Sequence, residues 1–517
     1  MPAVLAIPLD RGSGTPLYVQ IAAAIRASIE AGEMPAGSRL PSSRAIAEEL
    51  SVQRKTVVQA FSLLREEGWL SAGVGQGTFV RSPLLERKEP LFSGGSDDSR
   101  ISADGAGLDP DRFSWESVLP SAEQSNDLWQ YWLRDSGEGD AIRFTGATAD
   151  PAHFPVSEFQ AILDEVLHAA GSRALDYGPA AGYPPLRDWL ADRLSHRGID
   201  ADGERLIIVN GSQQALDLIA RLLVREGDRV LVEEPSYSNG FRLLQAHGAE
   251  VDTVRIDAGG IEVDSLERAC RKGRAQLLYT MPLFQNPTGM VLEEDRIDPI
   301  LSICRRHRVP IVEDHFDAEL VYQGEPPVPI AARDRWGQVI LIGSFSKILF
   351  PGLRLGWMLV PRPLLRMVQD LKQLADLSTG LLSQQAMDLY CRRGLLDEHL
   401  VRVRKINGKR LSVMLESMEK EFPSDVAWTR PRGGMTVWVQ LPAGVDSLAL
   451  LESVRRNGVE FSPGPFFFPN GGGSGFLRLC CVRETEERIR RGIRILGDAI
   501  REHVSRASAN VTPRPFL

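Results

Sequence analysis

Gly343-Ser-Phe-Ser-Lys347-Ile-Leu-Phe-Pro-Gly-Leu-Arg354-Leu-Gly356 follows directly on the apolar run Val339-Ile-Leu-Ile342. A lysine after a strand is ordinarily a solvated surface group. Here a hydroxyl, Ser344, stands three residues before Lys347, and a guanidinium, Arg354, stands seven after it beyond a Pro351-Gly352 turn. An amine, a hydroxyl and a guanidinium thus surround one turn at the end of a buried strand, so Ser344 and Arg354 can hold a phosphate while Lys347 presents its amine. Outward from this stretch, Leu206-Ile-Ile-Val209, Arg229-Val-Leu-Val232, Gln276-Leu-Leu-Tyr279 and Pro310-Ile-Val-Glu313 are short apolar strands separated by helical stretches. Such alternation predicts an α/β domain with a mostly parallel sheet. After about residue 400 the order changes to helices with short strands, which predicts a smaller α+β lobe.

Other residues in this region carry chemistry. Asp314 ends the strand Val309-Pro-Ile-Val-Glu-Asp314, where an acidic residue is usually a turn former but can also face an aromatic cation. Gly211-Ser212-Gln213 opens the helical run Gln214-Ala-Leu-Asp-Leu-Ile-Ala-Arg221; Ser212 can simply cap it, and backbone N–H groups at a helix start also bind phosphate. Tyr237, in Glu234-Pro-Ser-Tyr237, can stack on a flat ring or serve the core. Asn286, in Gln285-Asn-Pro-Thr-Gly289, can hydrogen-bond a ring hydroxyl or make a turn. Arg478 lies between Leu477 and Leu479, an odd place for a surface charge, and can bind a carboxylate as a bidentate fork.

In this order these segments resemble the fold-type I aminotransferases, over about 350 residues. Asp176-Tyr-Gly178, Ala181-Gly-Tyr-Pro-Pro-Leu-Arg187 and Gly227-Asp-Arg-Val-Leu-Val-Glu-Glu-Pro235 belong to the same likeness. The resemblance implies pyridoxal 5'-phosphate as cofactor, with Lys347 as its Schiff-base residue. Asp314 would then face the pyridine nitrogen, Asn286 the ring hydroxyl and Tyr237 the ring face. Ser212, Gln213, Ser344 and Arg354 would surround the phosphate, and Arg478 would meet a ligand carboxylate.

Residues 15–80 form a separate pattern. Leu17, Ile21, Ala24, Ile25 and Ile29 have helical spacing, Ser42 can cap a short helix with Ile46, Ala47 and Leu50, and Val57, Ala60, Phe61 and Leu64 line a third. Trp69 to Val80 reads as two short strands around Gly73-Val-Gly-Gln-Gly77. Three helices and a hairpin in this order predict a winged helix-turn-helix. Gln53, Arg54, Lys55 and Thr56 place polar and basic groups at the start of the third helix, as a helix entering the major groove requires. Arg44 can contact the DNA backbone, and the Gly75-Gln-Gly77 tip can approach a sugar-phosphate edge. Pro16-Leu-Tyr-Val-Gln-Ile21, Gly37-Ser-Arg-Leu-Pro-Ser-Ser-Arg44, Arg54-Lys-Thr-Val57, Glu67-Gly-Trp-Leu70 and Gly75-Gln-Gly-Thr-Phe-Val80 together resemble the GntR family of bacterial regulators. Arg44, Arg54, Lys55 and Gly77 match positions where that family touches DNA.

Joined, the two likenesses resemble the MocR/GabR family of transcriptional regulators. That architecture predicts a winged helix-turn-helix at 1–81, a linker at 82–140 containing Trp115, Trp129 and Trp132, and an aminotransferase-like effector domain at 141–517. It implies a homodimer, a double-stranded DNA operator, and an amine or amino-acid effector (or the cofactor itself) sensed through the Lys347 Schiff base. An active aminotransferase that carries a DNA-binding domain is the alternative. The chain departs from the family where Asp-Asp-Tyr-Asp is common: it has Asp314-His-Phe-Asp317, and Phe316 offers no hydroxyl. Asn286-Pro-Thr-Gly289 is closer to the true aminotransferases.

Bulk composition agrees with these expectations. The 517 residues call for two or more domains. The net charge of -8 excludes a uniformly basic nucleic-acid coat protein, so any DNA contact must come from a local patch. The five cysteines lack CxxC spacing, and His315 beside Asp314 finds no third ligand at a suitable distance in sequence, so neither a disulfide framework nor a metal site is expected. The N-terminus lacks the basic start of a signal peptide and no apolar run is long enough to span a bilayer, which predicts a cytoplasmic protein.

Overall fold

The computed structural model describes residues 16–30, 34, 38, 40–66, 69–73, 77–80 and 140–509. The expected linker, apart from Asp140, and the wing tip at Gly75 and Gln76 lie outside the described residues. The chain divides into two units, Met1–Glu138 and Gly139–Leu517.

In the first unit, helices Leu17–Glu30, Ser43–Glu49 and Arg54–Glu66 precede strands β1 (Leu70–Gly73) and β2 (Gly77–Val80), which pair antiparallel. The Ser42 hydroxyl accepts from the Ala45 amide at 3.2 Å and so starts the second helix. Ser51, at φ +51°, turns the chain between the second and third helices. Ile21 and Ile25, Ile46, then Val57, Phe61 and Leu64 bring one apolar face from each helix into a common core, which Trp69, Leu70 and Val80 close from the hairpin. The Leu40 amide donates to the Thr78 carbonyl and the Val80 amide to the Ser38 carbonyl, which ties the segment before the second helix to β2.

The second unit contains two sheets. Its strands are β3 (Ile142–Phe144), β4 (Leu206–Val209), β5 (Arg229–Glu234), β6 (Glu250–Asp257), β7 (Gly260–Ile261), β8 (Leu278–Thr280), β9 (Ile311–His315), β10 (Val339–Ser344), β11 (Gly356–Leu359), β12 (Ala427–Trp428), β13 (Thr436–Gln440), β14 (Val459–Pro463) and β15 (Phe476–Cys480). The larger sheet has the order β4-β11-β10-β9-β8-β5-β6-β7. Strands β10, β9, β8, β5 and β6 run parallel; β11 enters antiparallel between β4 and β10, and β7 pairs antiparallel with β6. Strands β4 and β10 are buried along their whole length, which explains the unbroken apolar runs Leu206–Val209 and Val339–Ile342. The smaller sheet, β12-β13-β15-β14-β3, is antiparallel except that β14 and β3 run parallel. Its edge strand β3 comes from the start of the unit, so the α+β lobe expected after residue 400 also recruits residues 142–144.

Parallel pairing aligns the carboxyl ends of β5, β8, β9 and β10, and the two strand reversals beside β11 bring the end of β4 to the same edge. At that edge lie Asp314, near the end of β9, and, just past the strand ends, Gly211–Gln213, Tyr237, Asn286 and Lys347. Open α/β sheets bind their ligands at this edge.

Truncating Leu64, fully buried in the first unit, to Ala should cost about 2–5 kcal/mol. Hydrogen exchange of the Arg54–Glu66 amides in the full chain should accelerate accordingly, while the β4 amides keep their protection.

Candidate functional site

Sheet register explains how the site assembles. Ile342 pairs with Asp314, and Tyr279 pairs with Val312. Side chains two apart on a strand share a face. Tyr279, Asp314 and Ser344 therefore point to one side of the sheet. The Tyr279 hydroxyl donates to Asp314 Oδ2 at 2.9 Å. Asp314 is almost fully buried and its Oδ1 has no hydrogen-bond partner. Burial pushes this carboxyl up to about 7, against the opposing pull of the Tyr279 bond and the Lys347 amine.

Lys347 follows β10 in the turn after Ser344, and the Ser344 hydroxyl accepts from the Ser346 amide at 3.1 Å. Burial lowers the Lys347 amine from its ordinary value, and the Arg478 guanidinium lowers it further; Cys480, Asp317 and Asp314 oppose this. An amine so placed is more readily neutral, hence nucleophilic. Tyr237 precedes the helix Ser238–Ala246, and its phenol is pushed up to about 12 by burial and then by Asp314.

Arg478 projects from β15 in the smaller sheet. It donates to Asn286 Oδ1 at 2.8 Å, to the Thr145 carbonyl at 2.7 Å and to the Ser462 hydroxyl at 3.1 Å, over the Phe467 ring. Its Nε has no partner. Asn286 is thereby oriented: its oxygen is occupied, so its NH2 is the group left to donate. Glu233, buried, holds this loop by accepting from the Thr280 hydroxyl at 2.5 Å and from Gln285 Nε2 at 3.1 Å.

On the other side, Ser212 and Gln213 begin the helix Ser212–Leu223 behind Gly211. Arg354, left-handed at φ +52°, lies against this helix start and donates to the Asn210 carbonyl at 2.8 Å. A Cβ on Gly211 would stand 3.3 Å from the Arg354 guanidinium, and one on Gly356 would stand 2.7 Å from Gly211 Cα. The two glycines therefore permit an amide-lined, guanidinium-flanked cradle that fits a phosphate.

Neither Tyr279 nor Asp317 stands out in the sequence as a site residue. Tyr279 was visible as the last residue of an apolar strand, but its role depends on the β8–β9 pairing. Asp317 is completely buried, with neither carboxylate oxygen hydrogen-bonded to a side chain; burial and then Asp314 push it well above the carboxylate range. Gly434 makes room for it, since a Cβ there would lie 3.0 Å from Asp317 Oδ2. Phe316 is buried in the apolar cluster with Tyr279 and Val312. His315 Nε2 lies 2.8 Å from Glu313 Oε1.

In the first unit, Arg44, Arg54 and Lys55 are exposed and Thr56 is half-buried. Arg54, Lys55 and Thr56 form the first turn of the third helix, and Arg54 Nε donates to the Ser43 hydroxyl at 3.4 Å, which links the two helices. Gly77 opens β2 opposite Gly73. Among the described residues, no helix is long and apolar enough to cross a membrane.

Residues 147–496 match the family "Aminotransferase class I and II", and residues 17–80 match "Bacterial regulatory proteins, gntR family". The chain belongs to the class I and II aminotransferase family, in its GntR/MocR-type form: a GntR-like DNA-binding domain fused to a fold-type I, aminotransferase-like ligand-sensing domain. It is 36% identical to aromatic-amino-acid aminotransferase 1 of Thermococcus litoralis, over 71% of this chain and 89% of that one. Similarity to the "Probable rhizopine catabolism regulatory protein MocR" of Rhizobium meliloti, at 29% identity, spans 88% of both chains. The structure of LysN, the α-aminoadipate aminotransferase of Thermus thermophilus solved with N-(5'-phosphopyridoxyl)-L-leucine, superposes with a TM-score of 0.70 at 32% identity, covering 76% of this chain and 100% of that one. The likeness to pyridoxal-phosphate aminotransferases implies a conserved site for that cofactor.

Asp314 gives a pH test. In the cofactor-free chain its folded pKa of about 7 stands above the ordinary 3.8. Its contribution to stability is therefore full below pH 3.8 and lost as pH rises to about 7. Asp314→Asn removes that loss: urea titration of cofactor-free protein should find the variant equal to wild type near pH 4 and more stable at pH 8, by roughly 2–4 kcal/mol.

Proposed function

We propose that this chain is a transcriptional regulator that holds pyridoxal 5'-phosphate at Lys347 and changes its grip on an operator when an amine or amino acid enters the site. The observation that carries the reading is Asp314 Oδ1, a buried carboxylate oxygen without a partner on the face that also carries Ser344. A protonated pyridine nitrogen would satisfy it. Asn286 would donate to the ring oxygen, Tyr237 would cover the ring, and Ser212, Gln213, Ser344 and Arg354 would hold the phosphate. Bound there, the cofactor supplies an aldehyde that amines capture reversibly.

Lys347 would hold that aldehyde through its amine in the resting protein. An incoming amino acid would present its own amine there, while Arg478 would receive its carboxylate and give up part of its bonding to Asn286. The response requires that the two states of the protein differ in ligand affinity. Arg54, Lys55 and Thr56 would read the major groove, with Arg44 and Gly77 on the backbone. The proposed assembly is a homodimer in the cytoplasm; exposed Tyr177, Leu374 and Leu377 supply apolar surface for a second copy. The intact Arg478–Asn286 bond also favours turnover as a second reading. Repeated conversion of an amino acid with a 2-oxo acid acceptor, measured by product formation over many cofactor equivalents, would establish that reading.

Operator affinity of the holo-protein should change on titration with the active amino acid, and Lys347→Ala should abolish the change while leaving unliganded DNA binding intact. A Lys347→Ala protein that answers the amino acid normally would refute the sensing role. Arg54→Ala should weaken operator binding by about 1–3 kcal/mol and relax base preference at one position. Binding measured against single-base operator variants checks both.

A further inference from the structure

Lys372 is fully buried, alone in this among the lysines of the described residues, and no step above uses it. It lies in the helix Leu365–Asp376, where its amine donates to Asp376 Oδ1 at 2.6 Å. The second oxygen of Asp376 accepts from Asn210 Nδ2 at 2.6 Å and from Gln214 Nε2 at 2.9 Å. Gln214 in turn accepts from the Asn210 amide at 2.8 Å through Oε1. Residue 210 is thus held at its side chain by Asp376 and at its amide by Gln214. Its carbonyl receives the Arg354 guanidinium, and Gly211, packed against that guanidinium, follows it.

A buried ion pair is seldom a source of net stability, because desolvating both charges cancels most of their attraction. What this pair supplies is direction. With Lys372 on one oxygen, Asp376 has the other free for the two amides, and both amides orient the turn that leads into the helix Ser212–Leu223.

We propose that Asp376, anchored by Lys372, is a positioning residue for the phosphate arm of the cofactor: it fixes the Asn210–Gly211 turn and, through the Asn210 carbonyl, the Arg354 guanidinium. This rests on the proposed pyridoxal-phosphate reading and adds that the clamp acts on the phosphate, not on the ring. The network bonds to neither Lys347, Asp314, Asn286 nor Tyr237, so ring capture does not depend on it.

The test compares pyridoxal 5'-phosphate with pyridoxal, which has the same ring and aldehyde but no phosphate. Dissociation constants for both are measured by absorbance with wild type, Asp376→Asn and the double variant Lys372→Met/Asp376→Asn; the last leaves no buried charge unpaired and guards against simple misfolding. Each variant should lose about tenfold or more in affinity for pyridoxal 5'-phosphate, the size of one charge-assisted hydrogen bond, with pyridoxal affinity essentially unchanged. Equal losses for both compounds would mark the clamp as merely structural and overturn the inference, as would unchanged affinity for both. Wild type that binds neither compound would instead refute the cofactor reading itself.

Discussion

One buried carboxylate organises the second unit. Asp314 sits at the carboxyl end of a strand enclosed on both faces, with one oxygen bonded to Tyr279 and the other without a partner. Leaving such an oxygen unpaired costs free energy that the surrounding apolar sheet must offset. The sheet can offset it because the neighbouring strands are in fixed register, so Tyr279, Ser344 and Lys347 arrive around the carboxylate without further adjustment. On the proposed reading the missing partner is the cofactor ring, and relief of the unpaired oxygen adds to the affinity for that ring.

The second unit was legible where chemistry is local in sequence. The spacing of Ser344, Lys347 and Arg354 around one turn, the glycine before Ser212, and an arginine between leucines each announce a site on their own strand or loop. Their agreement with a parallel sheet follows because nearly every one of them stands at or just past the end of an apolar run. The winged helix was legible for a similar reason: the three apolar faces that form its core are periodic, and the Ser42 cap marks where the second helix starts.

What escaped the sequence depends on pairing between distant strands. Residues 356–359 form an antiparallel strand inside the large sheet, yet their apolar content follows the lysine turn so closely that they read as its continuation. Strand β3 is paired with β14 from the far end of the unit, and no local pattern connects them. Lys372 and Asp376 look like an ordinary i,i+4 surface pair of a helix. Only packing shows that Lys372 is inside and that Asp376 faces Asn210.

Phe316 bears on whether such a site turns its ligand over. Phe316, buried in the apolar cluster, brings no hydroxyl to the end of β9. The protein does possess a buried phenol nearby, but the Tyr279 hydroxyl is committed to Asp314. A hydroxyl bonded to Asp314 stabilises its charged form and so helps to hold a ring nitrogen protonated, whereas a hydroxyl on the ring oxygen would tune the acidity of the lysine bond. The first action strengthens capture of the cofactor; the second would assist repeated proton transfers. On the proposed reading, the Tyr279 bond and the open oxygen of Asp314 serve retention of the ring, whereas the Arg478–Asn286 bond is the feature on which turnover would rest.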